Sequence, residues 1–301
     1  MVGGPAGRGL RAGGRAQGEA GLVDQPEAPA PPHLVDLLRR GSPEPDAEGR
    51  VLSVTPESAG WHYVGFSAMR LRARERRTWS LGGREVCVVV LGGPCVLRAG
   101  GTTVDASNGR ASPFDGPPHV LYVPPGMEFS ADAQDGAVDL AIGSAPALGG
   151  RPVRAYAPGD ARLEVRGSGN MERRIQHLLM EDHDAERLLV TEVVTPAGHW
   201  SSYPPHKHDT DDPPRETLLE ETYYYRLRDA QRGFAVQRVY TADRSLDESV
   251  AARDGDLVLV PRGFHTVSAP PGYEVYYLNV MAGPRREWKV TFDPDHERLR
   301  G

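Results

Sequence analysis

Hydrophobic positions along this chain come in short runs, four to eight residues long, and turn residues punctuate them. Trp61–Arg72 alternates apolar and polar residues toward its end, Arg84–Leu91 reads as a buried strand, and Gly92-Gly93 follows it as a turn. Val120-Leu-Tyr-Val runs into Pro124-Pro125-Gly126, and a further strand is expected over 137–143. The order then recurs. Residues 187–195 correspond to the 61–72 stretch, 221–226 to 85–91, 257–265 to 120–128, and 273–280 to 138–143. The shared "strand, Val-Pro-x-Gly" signature marks an internal duplication. Short strands and turns without long helical periodicity predict an all-β protein built of two tandem sandwiches or barrels.

The ends of this pattern set the domain expectations. Residues 1–32 are Gly, Ala, Arg and Pro with few large apolar groups, too little surface to offset the entropy of ordering. His33–Arg40 spells two helical turns, and 41–50 reads as a linker. The expected division is a disordered extension and linker over 1–48, a first barrel over 49–160 and a second over 161–301.

Composition narrows the function. A net charge of -6 provides no basic field, so nucleic acid is not an expected partner. No run of 18 apolar residues exists to span a membrane, and the N-terminus lacks the apolar core of a secretory signal. Cys87 and Cys95, the only cysteines, read as small hydrophobes of a reduced, cytoplasmic protein.

The chemistry concentrates between Tyr203 and His265. Tyr203-Pro-Pro-His206-Lys-His208 places two imidazoles at i, i+2, on one face of a strand. Glu220-Glu221-Thr-Tyr223-Tyr224-Tyr225 follows, and Pro261-Arg-Gly-Phe-His265 closes the stretch. His206, His208, Glu221 and His265 form a candidate cage for one divalent transition metal; Zn, Mn, Fe, Co and Ni all suit imidazole and carboxylate. The alternative is three unrelated histidines in a polar surface loop. Glu220 competes with Glu221 for the carboxylate role. Register favours Glu221, which shares its face with Tyr223 and Tyr225, although one bulge reverses the choice. The first half has Glu128 where the second has His265 and no His-x-His, so only the second barrel is expected to hold metal.

Other groups signal more weakly. Arg174, Arg215, Arg238 and Arg286 could each clamp a carboxylate, with Arg238 favoured by its strand beside the site. Tyr223, Tyr240 and Tyr277 are candidate proton donors, or simply packed aromatics. Asp209, Asp211 and Asp212 read as a solvated loop, and no nucleophile elbow, P-loop or dinucleotide fingerprint is present.

The runs Trp200–Thr210, Leu219–Arg226, Gly233–Glu248, Val260–His265 and Tyr276–Pro284 resemble the bacterial 5-deoxy-glucuronate isomerases of myo-inositol catabolism. The resemblance extends from about Val51 to His296 and includes Thr55–Trp61 and Arg166–Asn170. That family is a bicupin, related to the 4-deoxy-threo-5-hexosulose-uronate ketol-isomerases. Its metal motif maps onto His206, His208, Glu221 and His265, and the Glu before Tyr-x-Tyr supports Glu221. His199 stands where the family has Asn, an aromatic is missing near Arg298, and residues 1–45 have no counterpart.

The resemblance implies an aldose–ketose isomerisation of a deoxy-uronate through a metal-stabilised enediolate. Arg238 or Arg174 is then expected on the substrate carboxylate, with Tyr240 nearby, and Glu220, Tyr223 or a metal-bound hydroxide as base. A different metal-dependent cupin enzyme, a sugar-binding cupin without activity and a storage bicupin are the competing readings. A weakly held homo-oligomer is expected from cupin edge pairing.

Overall fold

The computed structural model of the chain describes residues 36–300, together with Met1 and Gly3. The extension expected over residues 1–32 lies outside this range except for those two residues.

The all-β bicupin architecture is present as two tandem barrels, each made of a larger and a smaller antiparallel sheet. In the first, a six-stranded sheet contains Arg84–Gly92 between Val120–Val123 and Val138–Pro146. A four-stranded sheet, Arg76–Ser80, Glu128–Ala133, Cys95–Ala99 and Thr102–Ala106, closes it. In the second, a seven-stranded sheet holds Glu220–Leu227 between Leu257–Val260 and Val275–Ala282, then continues through Leu189–Thr195 and Arg173–Leu179 to Arg162–Arg166. A five-stranded sheet containing Trp200–Lys207, Phe264–Ser268 and Ala235–Tyr240 faces it.

Alternation along the strands produces three large cores, beside a small fourth cluster of Met180, Leu189, Leu219 and Met281. Inward residues such as Val86, Val88, Leu97 and Phe129 fill the first barrel. Tyr223, Tyr225, Val258 and Tyr277 fill the second. Residues of opposite parity, among them Cys87, Val89, Tyr122, Tyr224, Leu278 and Val280, bury the outer face of one large sheet against the other. The larger strands are therefore apolar on both faces, which accounts for their continuous runs of Val, Leu and Tyr. Gly143 sits in this seam, where a Cβ would lie 2.7 Å from Val280 Cγ1.

Two local expectations change. Residues 36–40, assigned by pattern to helical turns within the extension, run extended. Leu38–Arg39 pairs with Leu257–Val260, and Leu37 is buried in the second barrel's core. Edge pairing satisfies the backbone of both strands, so tertiary contact overrides a weak helical pattern. The correspondence between halves also shifts by one residue. Val86 pairs with Val123 as Glu221 pairs with Val260, each just before its Pro. Glu85 is thus the counterpart of Glu220, and an inward valine stands where the second barrel has Glu221.

Candidate metal centre and substrate cavity

Three strands and one turn build the site. His206 lies near the end of Trp200–Lys207, where it pairs with His265, and His208 follows just past the strand. Lys207 points the other way, its ammonium bonded to Asp209 at 2.6 Å and Glu216 at 2.8 Å. Glu216 also accepts the amides of Asp209 and Thr210, and Asp209 accepts the amide of Gly263 at 2.7 Å. The acidic loop expected to be solvated is, at Asp209, a tie to the turn that presents His265. Gly263 is required in that turn. Its φ is +87°, and a Cβ there would lie 2.5 Å from the Tyr240 carbonyl oxygen.

His206, His208 and His265 are buried, with ligand nitrogens all within 4.8 Å of one another. They are the one such group among the described residues. Glu221 completes them: its Oε2 lies 3.0 Å from His208 Nε2 and 3.1 Å from His265 Nε2. His208 Nδ1 sits 2.9 Å from the Leu219 carbonyl and His265 Nδ1 3.3 Å from that of Gly263. A carbonyl only accepts, so both Nδ1 atoms carry the hydrogen and both Nε2 lone pairs face the carboxylate. Lone pairs and a carboxylate at 3 Å repel unless a proton or a cation lies between them. His265 Nε2 in addition has no hydrogen-bond partner. The donor set therefore fits a divalent transition metal. Electrostatics agree. Burial, then the neighbouring imidazoles, hold His206 well below its ordinary pKa, in the neutral form a metal binds. Burial raises the Glu221 pKa, but a positive charge shared with the His208 and His265 rings outweighs it and holds the carboxyl down at about 2; against burial, the same contact raises the His208 pKa, so a proton or a metal cation belongs between these groups.

His206 and Glu221 border a cavity of about 530 Å³ inside the second barrel. His206, Glu221, Tyr223 and Tyr277 line it, with Trp288 and Phe292 walling the His206 side. Ser202 lies at a bulge between Ser201 and His206 with φ +48°, an uncommon conformation for a residue with a side chain. Its Oγ meets the Tyr223 hydroxyl at 3.0 Å and the Tyr277 hydroxyl at 3.4 Å. Burial, then the Glu221 charge, pushes the Tyr223 phenol well above its ordinary pKa, so it stays protonated as a donor.

The structure brings His206, His208, Glu221, His265 and Tyr223 together and leaves four expected residues elsewhere. Glu220 faces the other barrel, its carboxylate accepting the amides of His62, Tyr63 and Val64 at 2.7, 2.8 and 2.9 Å. It cannot serve as a base in the cavity. Arg238 is on the smaller sheet, forked onto Asp247 at 2.8 Å and partly exposed. Arg174 is exposed and paired with Glu274. Tyr240 is buried but gives its hydroxyl to Asp293 and does not line the cavity. Pattern reading passed over Arg173, Ser202 and Trp288, all on the cavity wall. Arg173 was within reach: a shift of one residue from Arg174 exchanges the faces of a strand.

The chain matches known proteins along most of its length. A sequence profile of the KduI/IolB family matches residues 37–299. The chain is 47% identical over 257 residues to a 5-deoxy-glucuronate isomerase of Geobacillus kaustophilus (strain HTA426), covering 85% of this chain and 92% of that protein. It is 38% identical over 265 residues to the Bacillus subtilis (strain 168) protein of the same name, covering 87% and 97%. An IolB-like crystal structure from Salmonella typhimurium LT2 superposes with a TM-score of 0.85 at 41% identity, over 88% of this chain and 100% of that one. The Lactobacillus farciminis oxalate decarboxylase superposes with a TM-score of 0.61 at 12% identity, over 85% and 88%, a likeness of fold alone.

Proposed function

Because the chain belongs to the KduI/IolB family, we propose that it is an intramolecular oxidoreductase converting 5-deoxy-D-glucuronate to 2-deoxy-5-keto-D-gluconate. The observation that carries this reading is the meeting of three buried imidazoles and the Glu221 carboxylate beside a cavity of about 530 Å³ lined by phenols and a serine. His206, His208, Glu221 and His265 would hold a divalent metal, which would supply Lewis acidity in the cavity.

The reaction is balanced within the substrate. One proton leaves the carbon bearing the hydroxyl and another arrives at the aldehyde carbon, while the hydroxyl proton transfers to the aldehyde oxygen. No external oxidant or reductant is consumed. The protonated Oη of Tyr223 donates a hydrogen bond to a substrate oxygen as negative charge develops there. Ser202 Oγ holds that phenol in place, and Tyr277, bonded to Ser201 at 2.9 Å, backs it. Trp288, Val290 and Phe292 exclude water from the His206 side.

The test is an NMR assay of 5-deoxy-D-glucuronate conversion under strict anaerobiosis, paired with metal analysis of the purified chain. Conversion by metal-containing protein supports the reading. Oxygen consumption coupled to turnover overturns it in favour of a dioxygenase, and retained metal without conversion points to a different substrate.

A further inference from the structure

We propose that Arg173 binds the substrate carboxylate and makes this cavity selective for sugar acids over neutral sugars. The proposal rests on the isomerase reading, since it assigns the far end of the same substrate.

Arginines at three positions border the cavity: Arg166, Arg173 and Arg300. Arg166 is already neutralised, forked onto Glu164 at 2.7 and 2.9 Å and stacked on Trp288. Arg300 is largely exposed and within 3.4 Å of Glu297. Arg173 differs from both. It is 6% exposed, and its side-chain hydrogen bond runs from Nη1 to the Met171 carbonyl at 2.9 Å. Among the described residues it has no carboxylate within ion-pair distance. Arg110, equally buried in the interface between the barrels, shows how this fold treats such a group elsewhere: it is forked onto Glu192 at 2.8 and 2.9 Å. A buried guanidinium without a counter-charge is costly, and one on a cavity wall can find its counter-charge in a ligand.

The wall is shaped around it. Gly167 has φ +84°, and a Cβ there would lie 2.8 Å from Arg173 Nη1 and 2.3 Å from the Met171 oxygen. A larger residue would displace the guanidinium. The backbone carbonyl occupies Nη1 and leaves further N–H donors in the planar geometry that matches a carboxylate. Arg173 also lines the same cavity as His206 and Glu221. Its strand is three along the sheet from that of Glu221, about 14 Å between strand axes at ordinary spacing. The long arginine side chain and an extended sugar acid together bridge that gap. A uronate has its aldehyde and its carboxylate at opposite ends, so the two ends can be held at once.

Calorimetric titration of the metal-loaded full chain with D-glucuronate and with D-glucose tests this directly. Wild type is expected to bind the acid and not the neutral sugar. Arg173→Met should weaken glucuronate binding by about 10-fold to 100-fold, with metal content and melting curve retained. Its KM for 5-deoxy-D-glucuronate should rise more than its kcat falls, and the carboxamide analogue should be insensitive to the change. Arg173→Lys, which keeps the charge and loses the fork, serves if the methionine variant does not fold, and it too should bind the acid more weakly. Gly167→Ala should raise KM in the same direction. Undiminished glucuronate binding by a folded Arg173 variant, or equal binding of acid and neutral sugar by wild type, overturns the proposal. Failure of wild type to convert 5-deoxy-D-glucuronate overturns the isomerase reading instead, and the glucuronate titration still decides the role of Arg173.

Discussion

Glu85 and Glu220 occupy the same place in the two barrels and reach across the interface in opposite directions. Glu220 accepts the amides of His62, Tyr63 and Val64, just before the first barrel's strand Gly65–Leu71. Glu85 accepts those of Glu186, Arg187 and Leu188, just before the second barrel's strand Leu189–Thr195. Each carboxylate thus satisfies three amides that no ladder reaches. Replacing either by Gln turns acceptor into donor against those amides. Each variant is expected to lose about 2–4 kcal/mol in urea unfolding, while Glu220→Gln keeps its bound metal. Loss of metal with unchanged stability would return Glu220 to the site.

The metal cage has a direct test. His265→Ala removes one imidazole and leaves Glu221 Oε2 facing His208 alone. Metal retained after dialysis should fall by at least about 100-fold, and conversion should fall with it. Full metal occupancy in this variant would sink the assignment.

Tyr223→Phe removes the hydroxyl bonded to Ser202 and keeps the ring that packs on Tyr277. We expect kcat to drop about 100-fold with metal content and stability close to wild type. An unchanged kcat would leave Tyr223 a packing residue.

Arg238→Ala tests the opposite expectation. Its side chain is 41% exposed and paired with Asp247. The change should cost less than about 1 kcal/mol and leave KM for the uronate unaltered, whereas Arg173 variants raise it. A KM increase at Arg238 would contradict the cavity geometry.

Glu164 sets an acid limit. Its hydrogen bond to Arg166, opposed by burial and helped by His177, lowers its carboxyl from 4.5 to about 2. A depressed folded-state pKa contributes stability above pH 4.5, and that contribution disappears as pH falls from 4.5 toward 2. The side chain is 30% exposed, so solvent screening reduces the contribution to about 1 kcal/mol. Urea midpoints of wild type and Glu164→Gln should converge across that interval and differ at neutral pH. A constant gap down to pH 2 would disprove the linkage.

Much of the site was readable in one dimension because its parts are local. The His-x-His pair, the inward parity of Glu221 and Tyr223, and the glycine that turns the chain into His265 all follow from a period of two and from backbone sterics. The shared Val-Pro signature exposed the duplication for the same reason. It left the pairing of halves one residue out, because Glu85 and Glu221 are both glutamates and only strand register separates them.

By itself the sequence determined the β class, the two-barrel plan and the four candidate ligands that the fold gathers, since alternation and turn chemistry are written in neighbouring residues. Tertiary structure alone decided what the long-range partners are. Glu220 left the list of bases because amides 156 to 158 positions earlier fold onto it. Arg238 and Arg174 left the cavity because Asp247 and Glu274 neutralise them at the surface. Arg173 took their place because no acidic side chain of the described fold reaches it, and only the packed chain shows which cations lack a counter-charge.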